Sequence, residues 1–181
     1  LRLEMRAELK RLHQALGSTI IFVTHDQMEA MTLATSIAVM NNGSIEQLAK
    51  PMDIYRTPKS LFVAKFVGSP PMNVIQVENG GEIVDCLVRK TKLTKNKIKT
   101  LGIRPESIRM VAVNEGEIEA LVETVQPTGA DWIVGLIVSD KSIFAISSEQ
   151  PKANVGQKVG LSFKLDGLHL FDEKDQSIKY I

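Results

Sequence analysis

The sequence is poor in the residues on which several classes of function depend. Of its 181 residues only Cys86 is a cysteine, which excludes an intramolecular disulfide bond and is typical of a reducing compartment. The 22 basic and 21 acidic residues nearly cancel, and aromatic residues make up 5%. Without a basic excess or many rings to stack on bases, nucleic-acid binding is disfavoured. No apolar run reaches the roughly 18 residues needed to cross a bilayer.

The sequence also lacks the patterns of metal-dependent and nucleophilic enzymes. Its 3 histidines and its cysteine are widely spread, so no cluster has the spacing of a metal site. No G-x-S-x-G turn occurs, and Cys86 lies in an apolar, strand-like run where burial is the default. The candidate acids and bases are scattered along the chain: Glu29, Glu106, Asp131 and Asp172. We expect neither a metal site nor an acid–base pair built from this chain alone.

The first 34 residues have the pattern of a helix, a buried strand and a second helix. One apolar face is formed at helical spacing by Leu1, Met5, Leu9, Leu12 and Leu16, with Arg6 and other charged residues opposite. Gly17 is suited to end this helix in a left-handed turn. The run TIIFVT (residues 19–24) has no alternation, which predicts a strand buried on both faces of a parallel sheet. Asp26 is then placed to cap a helix, with Glu29 completing a capping box.

The next segment predicts a hairpin and two short helices. SIAVM and SIEQL flank Asn42-Gly43, a strong signal for a two-residue hairpin turn. Pro51 and Pro58 stand near the starts of two helical stretches, where the first turn tolerates proline. Helix, strand, helix and hairpin in this order are typical of the closing part of an α/β domain.

The pattern changes from helical to strand-like at Gly68–Pro71, so we predict two domains, residues 1–67 and 68–181. Beyond this boundary the β-prone runs are MNVIQVE, EIVDCLV, EIEALVETVQ, DWIVGLIVS, SIFAISS and QKVGLSFKL. Short strands separated by turn residues predict a small all-β barrel or sandwich.

His25 is the main candidate for a functional residue. It follows the predicted strand and precedes the predicted helix, and ligands of open α/β sheets bind beyond the carboxyl ends of strands. Histidine can hydrogen-bond a phosphate or a water. It can equally cap a loop, and the local sequence does not decide between these roles. His13 lies on the polar part of a helix, and His169 alternates with apolar residues as a solvent-facing strand position does.

The stretch IRPES contains a second motif. Arg104 is followed by a turn that Pro105 begins, and Glu106 comes next. An ion pair between Arg104 and Glu106 that fixes the loop is one interpretation, and a ligand clamp is the other.

Six motifs in one order carry a resemblance to a known family. They are VTHDQMEAMTLA, VMNNGSIEQ, PMDIYRTP, LFVAKFVGSPPMN, LGIRPESI and LHLFD. Together they resemble the C-terminal portion of the ATP-hydrolysing subunit of ABC importers of the maltose and glycerol-3-phosphate type. The resemblance implies that His25 is the switch histidine, which contacts the γ-phosphate of ATP and helps to place the attacking water. Thr35-Ser36 and Leu48-Ala49-Lys50 depart from the family pattern at positions that are not catalytic.

The resemblance also implies a fold and an assembly. Residues 1–67 would be an α/β remnant of a P-loop ATPase domain, and residues 68–181 an oligosaccharide-binding-like regulatory barrel of the TOBE type, with Arg104, Pro105 and Glu106 as a motif of this barrel. The whole subunit would bind ATP and Mg²⁺, form a homodimer and associate with transmembrane permease subunits. It would lie in the cytoplasm, at the inner face of the cell membrane. A regulatory protein or small solute is a further possible partner.

The chain lacks the other parts of such an ATPase. It has no G-x-x-x-x-G-K-[ST] loop, no LSGGQ signature and no apolar strand ending in Asp-Glu. Phosphoryl transfer needs backbone donors, a lysine and Mg²⁺ around the phosphates. We therefore expect a chain cut from a longer protein, with a processed natural terminus as the alternative, and no ATP binding or hydrolysis by this chain alone. Because residues 19–24 would be an unpaired apolar strand, we also expect the segment before Gly68 to exchange between chains or to be supported by further sequence.

A stand-alone regulatory module that senses a solute is the alternative function. Five lysines of a basic connector could bind an oxyanion or could simply be solvated: Lys90, Lys92, Lys95, Lys97 and Lys99.

Overall fold

The computed structural model describes residues 2–91 and 97–178, which form two compact units. Unit 1 comprises Leu1–Lys59 and unit 2 comprises Ser60–Ile181. This division lies eight residues before the predicted domain boundary at residues 67 and 68, which stays a prediction. Lys92 and Lys95 of the basic connector, like Leu1, lie outside the described residues.

Unit 1 contains three helices and one hairpin. In chain order these are α1 (Arg2–Leu16), α2 (Gln27–Leu33), β1 (Ile37–Asn41), β2 (Ser44–Ala49) and α3 (Pro51–Arg56). Strands β1 and β2 pair antiparallel, and the turn between them has positive φ angles at Asn42 and Gly43. The predicted hairpin is therefore confirmed.

The predicted helix ends of unit 1 are confirmed as well. Gly17 has a φ of +60°, and its N–H donates to the carbonyl of His13 at 3.1 Å, which ends α1 in a left-handed turn. Asp26 is the N-cap of α2, and its side chain accepts hydrogen bonds from the N–H groups of Met28 and Glu29.

The buried strand predicted at residues 19–24 is wrong for the chain as described. These residues form neither helix nor strand, and Ile21 and Val23 are each 90% exposed. A strand needs a neighbour for its backbone hydrogen bonds, and none of the strand pairs within residues 2–91 and 97–178 includes this segment.

The apolar face predicted for α1 is likewise uncovered in this chain. The exposed large apolar side chains of α1 and of the following segment are Met5, Leu9, Leu12, Leu16, Ile20, Ile21, Phe22 and Val23. By contrast, Arg6, which the pattern placed on the polar side, is only 16% exposed. The helix forms as predicted, but Arg6 is a charged side chain that is largely buried where the pattern predicts exposure.

In its described residues, unit 2 is mainly antiparallel β structure with two α-helices. The helices are α4 (Leu61–Phe66) and α5 (Gly81–Thr91). The strands are β3 (Asn73–Gln76), β4 (Thr100–Ile103), β5 (Ile108–Val111), β6 (Ile118–Pro127), β7 (Trp132–Val138), β8 (Lys141–Ser147), β9 (Lys158–Phe163), β10 (Leu168–Phe171) and β11 (Ser177–Ile178).

The strands form a four-stranded sheet in the order β11-β10-β4-β3 and a five-stranded sheet in the order β5-β9-β6-β7-β8. One large core joins the inner faces of both sheets, with Leu101, Leu136 and Leu161 among its fully buried members. A smaller apolar cluster places Leu61 and Ala64 of α4 with Phe171 of the four-stranded sheet. The β-rich architecture expected for this part is confirmed.

Helix α5 corrects the prediction that EIVDCLV is a strand and that this part of the chain is all-β. Ile83, Val84 and Leu87 are buried, a spacing that fits one side of a helix rather than one face of a strand. Glu82 stands in the first turn and Arg89 in the last, where each complements the helix dipole. The high content of β-branched and apolar residues hid this helical spacing.

A side chain of one sheet hydrogen-bonds the backbone of the other. Asn73 of β3 is buried, and its Nδ2 donates to the carbonyl of Phe144 at 2.8 Å. In return, the N–H of Phe144 on the edge strand β8 donates to Oδ1 of Asn73 at 2.7 Å. Asn73 thus satisfies backbone groups of β8 that no further strand of the five-stranded sheet pairs with in the described residues.

Candidate functional site

His25 lies in the connection between residues 19–24 and α2, directly before the N-cap Asp26. Its side chain is exposed, while both of its neighbours, Thr24 and Asp26, are partly buried. An exposed imidazole can donate or accept a hydrogen bond with a phosphate oxygen or a water that reaches this loop.

The residues on either side of His25 are tied to α2 by hydrogen bonds. The N–H of Asp26 donates to the hydroxyl oxygen of Thr24 at 3.0 Å, and this hydroxyl donates to Oε2 of Glu29 at 2.8 Å. Oδ1 of Asp26 accepts from the N–H of Met28 at 2.8 Å. Asp26 therefore caps α2 as predicted. The predicted capping box is not formed directly, because the N–H of Asp26 donates to the hydroxyl of Thr24, and it is this hydroxyl that Glu29 accepts.

Arg6 on α1 reaches the same two carboxylates. Its Nη2 lies 3.5 Å from Oδ2 of Asp26 and 4.0 Å from Oε1 of Glu29. Both ion pairs are partly buried, so solvent screens them less than it screens a pair on the open surface. Sequence reasoning missed Arg6, because only the folded chain brings α1 next to α2.

Arg104 occupies a buried position in unit 2. It is 2% exposed, and its Nη1 donates to the carbonyls of Val67 at 2.6 Å and Ala64 at 3.3 Å. These carbonyls end α4, where a positive charge is favourable. Pro105 is buried on the 3-10 turn that follows, and Glu106 is exposed. Arg104 holds α4 against the sheet, and its predicted pairing with Glu106 stays a prediction.

His169 corrects the expectation of a solvent-facing strand position. It lies on β10 opposite Gly102 of β4, and it is partly buried. Burial and, to a lesser extent, the positive charge of Arg104 together lower the pKa of His169 to about 4. The imidazole is therefore neutral at physiological pH.

Cys86 belongs to a polar cluster between α5 and the five-stranded sheet. Its Sγ donates to Oε2 of Glu117 at 3.4 Å, while Lys90 forms a salt bridge with Oε1 of the same carboxylate and donates to the carbonyl of Phe163. Burial raises the pKa of Cys86 to about 11, with added contributions from the hydrogen bond and the charge of Glu117. The thiol is therefore protonated and unsuited to nucleophilic chemistry.

Glu117 stays ionised in this cluster. Burial by itself would raise the pKa of Glu117, but hydrogen bonds from Lys90, the N–H of Phe163, Cys86 and the hydroxyl of Ser162 together lower it. Lys90 is thus engaged within the fold, and Lys99 forms a salt bridge with Asp175 at 3.5 Å. Neither of these lysines supports the hypothesis of an oxyanion site on the connector.

An open groove of about 950 Å³ runs between α5 and the first half of β6 in unit 2. Its charged lining consists of Glu82, Asp85, Arg89, Glu117, Glu119 and Lys158. Carboxylates outnumber cations, so the groove is unsuited to a phosphate or another oxyanion. Among the residues that the structure describes, no group of three or more His, Cys, Asp or Glu side chains could hold a metal ion.

Comparison with known proteins assigns the β-rich unit. Residues 101–171 match the TOBE domain. The chain is 40% identical over 181 residues to the sn-glycerol-3-phosphate import ATP-binding protein UgpC 2 of Agrobacterium fabrum, a match that covers 95% of this chain and 48% of that protein. Nearly the whole chain is thus similar to proteins named as ATP-binding proteins for import. The two antiparallel sheets of the TOBE-containing unit fit an oligosaccharide-binding-like fold.

Two further relatives agree with this assignment. The UgpC protein of Pectobacterium atrosepticum is 38% identical over 183 residues, covering 96% of this chain and 51% of its own length. An uncharacterized ABC transporter ATP-binding protein, YcjV of Escherichia coli O157:H7, is 35% identical over 188 residues, covering 97% and 52%. The chain spans about half the length of these relatives. No helix in residues 2–91 or 97–178 has both the length and the apolar composition to span a membrane.

Proposed function

We propose that this chain is the C-terminal part of the ATP-hydrolysing subunit of an ABC importer for sn-glycerol 3-phosphate or a sugar. Homology over 95% of the chain to subunits named for this transport carries the proposal. The exposed position of His25 on a loop tied to α2 supports its role as the switch histidine. There it hydrogen-bonds the γ-phosphate of ATP and orients the attacking water.

The residues of this chain do not supply the ATP and Mg²⁺ site themselves. The sequence has no phosphate-binding loop, and the described residues contain no cluster of metal ligands. One imidazole cannot replace the backbone donors, lysine and cation that phosphoryl transfer requires. In our proposal these groups belong to the remainder of the subunit, and the chain alone is inactive. Turnover of ATP by the purified chain, free of longer protein, would contradict this.

The exposed apolar segment around Ile21 and Val23 supports the same proposal. These side chains have no cover within unit 1, although TIIFVT has the composition of a buried strand. In our proposal the remainder of the ATPase domain, or a second copy, supplies the missing strands. This segment and α2 would then form the α/β remnant of the P-loop ATPase domain.

The proposed subunit works as a homodimer at the inner face of the cell membrane, bound to permease subunits. The names of the relatives describe ATP-binding proteins of importers, which need membrane partners to move a solute. The TOBE domain would help to hold the dimer and could receive a regulator.

Hydrolysis and transport by the full-length subunit with its permease test this function. We expect His25→Ala to lower kcat for ATP by at least about tenfold, because it removes an interaction made in the transition state. His13→Ala, on the partly exposed side of α1, is the matched control and retains the wild-type rate. An unchanged rate in the His25 variant would refute the switch role. Comparing the uptake of radiolabelled sn-glycerol 3-phosphate with the uptake of radiolabelled maltose identifies the transported solute.

A solute-sensing role of unit 2 is the second candidate, and the groove beside α5 favours it. Its excess of carboxylates suits a cationic or neutral solute rather than an anion. Calorimetric titration of the chain with maltose, a neutral sugar, tests this candidate, and the absence of saturable binding would count against it.

A further inference from the structure

We propose that Arg6 is a positioning residue for His25, which goes beyond the proposed function while resting on it. The proposed effect of Arg6 on His25 is indirect and does not need a contact between the two side chains. Arg6 acts through Asp26 and through Glu29, whose carboxylate holds Thr24, so it fixes both neighbours of the histidine.

The carboxylate oxygens of Asp26 and Glu29 are divided between two tasks. Oδ1 of Asp26 caps α2 through the N–H groups of Met28 and Glu29, and Oδ2 faces Arg6 at 3.5 Å. Oε2 of Glu29 accepts the hydroxyl of Thr24 at 2.8 Å, and Oε1 faces Arg6 at 4.0 Å. Nη2 of Arg6 thus lies near the second oxygen of each carboxylate. A single nitrogen of the guanidinium faces both acceptors, at distances typical of ion pairs.

Arg6 is far more buried than Arg11 of the same helix. Arg6 is 16% exposed, whereas Arg11 on the same helix pairs with Glu8 while 78% exposed. A partly buried guanidinium beside two carboxylates is less screened by solvent than an ion pair on the surface, so its position is more restricted. The loop that carries His25 is therefore connected to α1 by ion pairs and to α2 by hydrogen bonds.

Fixing the position of this loop matters if His25 forms a hydrogen bond with a phosphate oxygen. A catalytic side chain on a loop is effective only when the loop returns it to one place, and small displacements lower the rate strongly. His25 itself is exposed, so its position depends on its neighbours. Arg6 supplies the link between those neighbours and a helix outside the loop.

The test compares variants of the full-length subunit in ATP hydrolysis. We expect Arg6→Ala to lower kcat by about tenfold with a change in KM for ATP below about twofold, because displacement of His25 affects the transition state more than binding. Arg11→Ala is the matched control and should retain the wild-type kcat. Glu29→Gln keeps an acceptor for Thr24 but weakens the contact with Arg6, so we expect an intermediate loss.

A double-mutant cycle separates positioning from general stability. In a His25→Ala background, Arg6→Ala should lower kcat by less than about twofold, since no imidazole is left to position. An equal loss in both backgrounds would overturn the proposal in favour of a structural role. If the Arg6→Ala variant does not fold, the same double-mutant cycle can be measured with Arg6→Lys and with Glu29→Gln. A full rate in these variants, with a low rate in His25→Ala, would overturn the role of Arg6 and leave the proposed function standing.

A second measurement does not depend on ATP. In the chain itself, amide exchange at Asp26 should be at least about tenfold faster in Arg6→Ala than in Arg11→Ala, because the network holding this N–H is loosened. Equal exchange in the two variants would overturn the proposal even if the ATPase assay could be explained in another way.

Discussion

The side-chain amide of Asn73 and the backbone of Phe144 hydrogen-bond each other in both directions. The two distances are 2.8 Å and 2.7 Å, and they join β3 of one sheet to the edge strand β8 of the other. The same Nδ2 also donates to the carbonyl of Ile103 at 3.3 Å. The side-chain amide of Asn73 therefore forms the pair of backbone hydrogen bonds that a residue of a neighbouring strand would form with β8.

Replacing Asn73 should destabilise unit 2 more than its small volume suggests. We expect Asn73→Ala to lower the free energy of unfolding by about 2–4 kcal/mol, since backbone groups of Phe144 lose their partners in a partly buried site. Denaturation in guanidinium chloride measures this. Asn79→Ala, exposed in the turn after β3, should change stability by less than about 0.5 kcal/mol. Equal effects of the two variants would contradict the bridging role.

Arg104 offers a second test of packing in unit 2. Arg104→Met should cost about 2–4 kcal/mol, because the carbonyls that end α4 lose a buried charged donor. Arg109→Met, at an exposed position of β5, is the matched control and should have little effect. Amide exchange in Leu61–Phe66 should rise in the first variant only. Unchanged protection of this helix would show that Arg104 does not anchor it.

His169 should make unit 2 sensitive to acid. Its pKa in the folded state is about 4, below the ordinary 6.5, so the unfolded chain binds more protons between these values. Stability is therefore complete above pH 6.5 and falls as the pH decreases towards 4, by about 3 kcal/mol in total, since a pKa difference of one corresponds to about 1.4 kcal/mol.

The variant His169→Gln isolates this contribution. Urea denaturation of wild type and variant at several pH values should give a difference in stability that is constant above pH 6.5 and shrinks towards pH 4. A difference that does not vary with pH would mean that the imidazole titrates equally in the folded and unfolded chain.

Cys86 should react slowly with thiol reagents in the native protein. With a pKa of about 11, only about a thousandth of the thiol is ionised at pH 8. Glu117→Gln removes the charge beside the sulfur, and we expect Ellman's reagent to react several-fold faster with that variant. Glu119→Gln is the control, because Glu119 pairs with Lys158 at the surface. Identical reaction rates in both variants would show that burial alone, and not Glu117, raises the pKa of Cys86.

The exposed segment before His25 should make the isolated chain associate. Ile21 and Val23 are 90% exposed, and an unpaired apolar strand tends to pair with another copy. We expect sedimentation to show concentration-dependent oligomers that Ile21→Lys weakens. Val155→Lys, at an exposed position in unit 2, should leave association unchanged. A monomer at all concentrations, with residues 19–24 protected from exchange, would contradict the expectation of pairing.

Local signals in the sequence predicted the structure well, whereas patterns that depend on distant residues did not. Gly17 and the Asn42-Gly43 turn act through their own backbone conformation, and Asp26 acts through a side chain that reaches N–H groups two and three residues on, so each prediction is confirmed. The strand at residues 19–24 requires partners, and none occurs in the described residues. Helix α5 was missed because its apolar composition favours a strand, while its spacing favours a helix.

The candidate site shows the same division. His25 stood out because a titratable residue separates an apolar run from a capped helix. Arg6 carries no comparable signal, since a charged residue on an amphipathic helix is normally solvated. Arg104 was singled out by its motif, but its partners lie about 40 residues earlier in the chain, at the end of α4. Sequence patterns locate such residues and do not reveal what they contact.

The contacts of Arg104 and Asn73 decide where a shorter version of this protein should begin. The TOBE match covers residues 101–171, yet Arg104 depends on carbonyls at Ala64 and Val67, and β8 depends on Asn73. A protein trimmed to the match would leave a buried guanidinium and a strand edge without partners. For crystallisation or NMR of the β-rich unit, expression should start at Ser60, so that α4, β3 and α5 are retained.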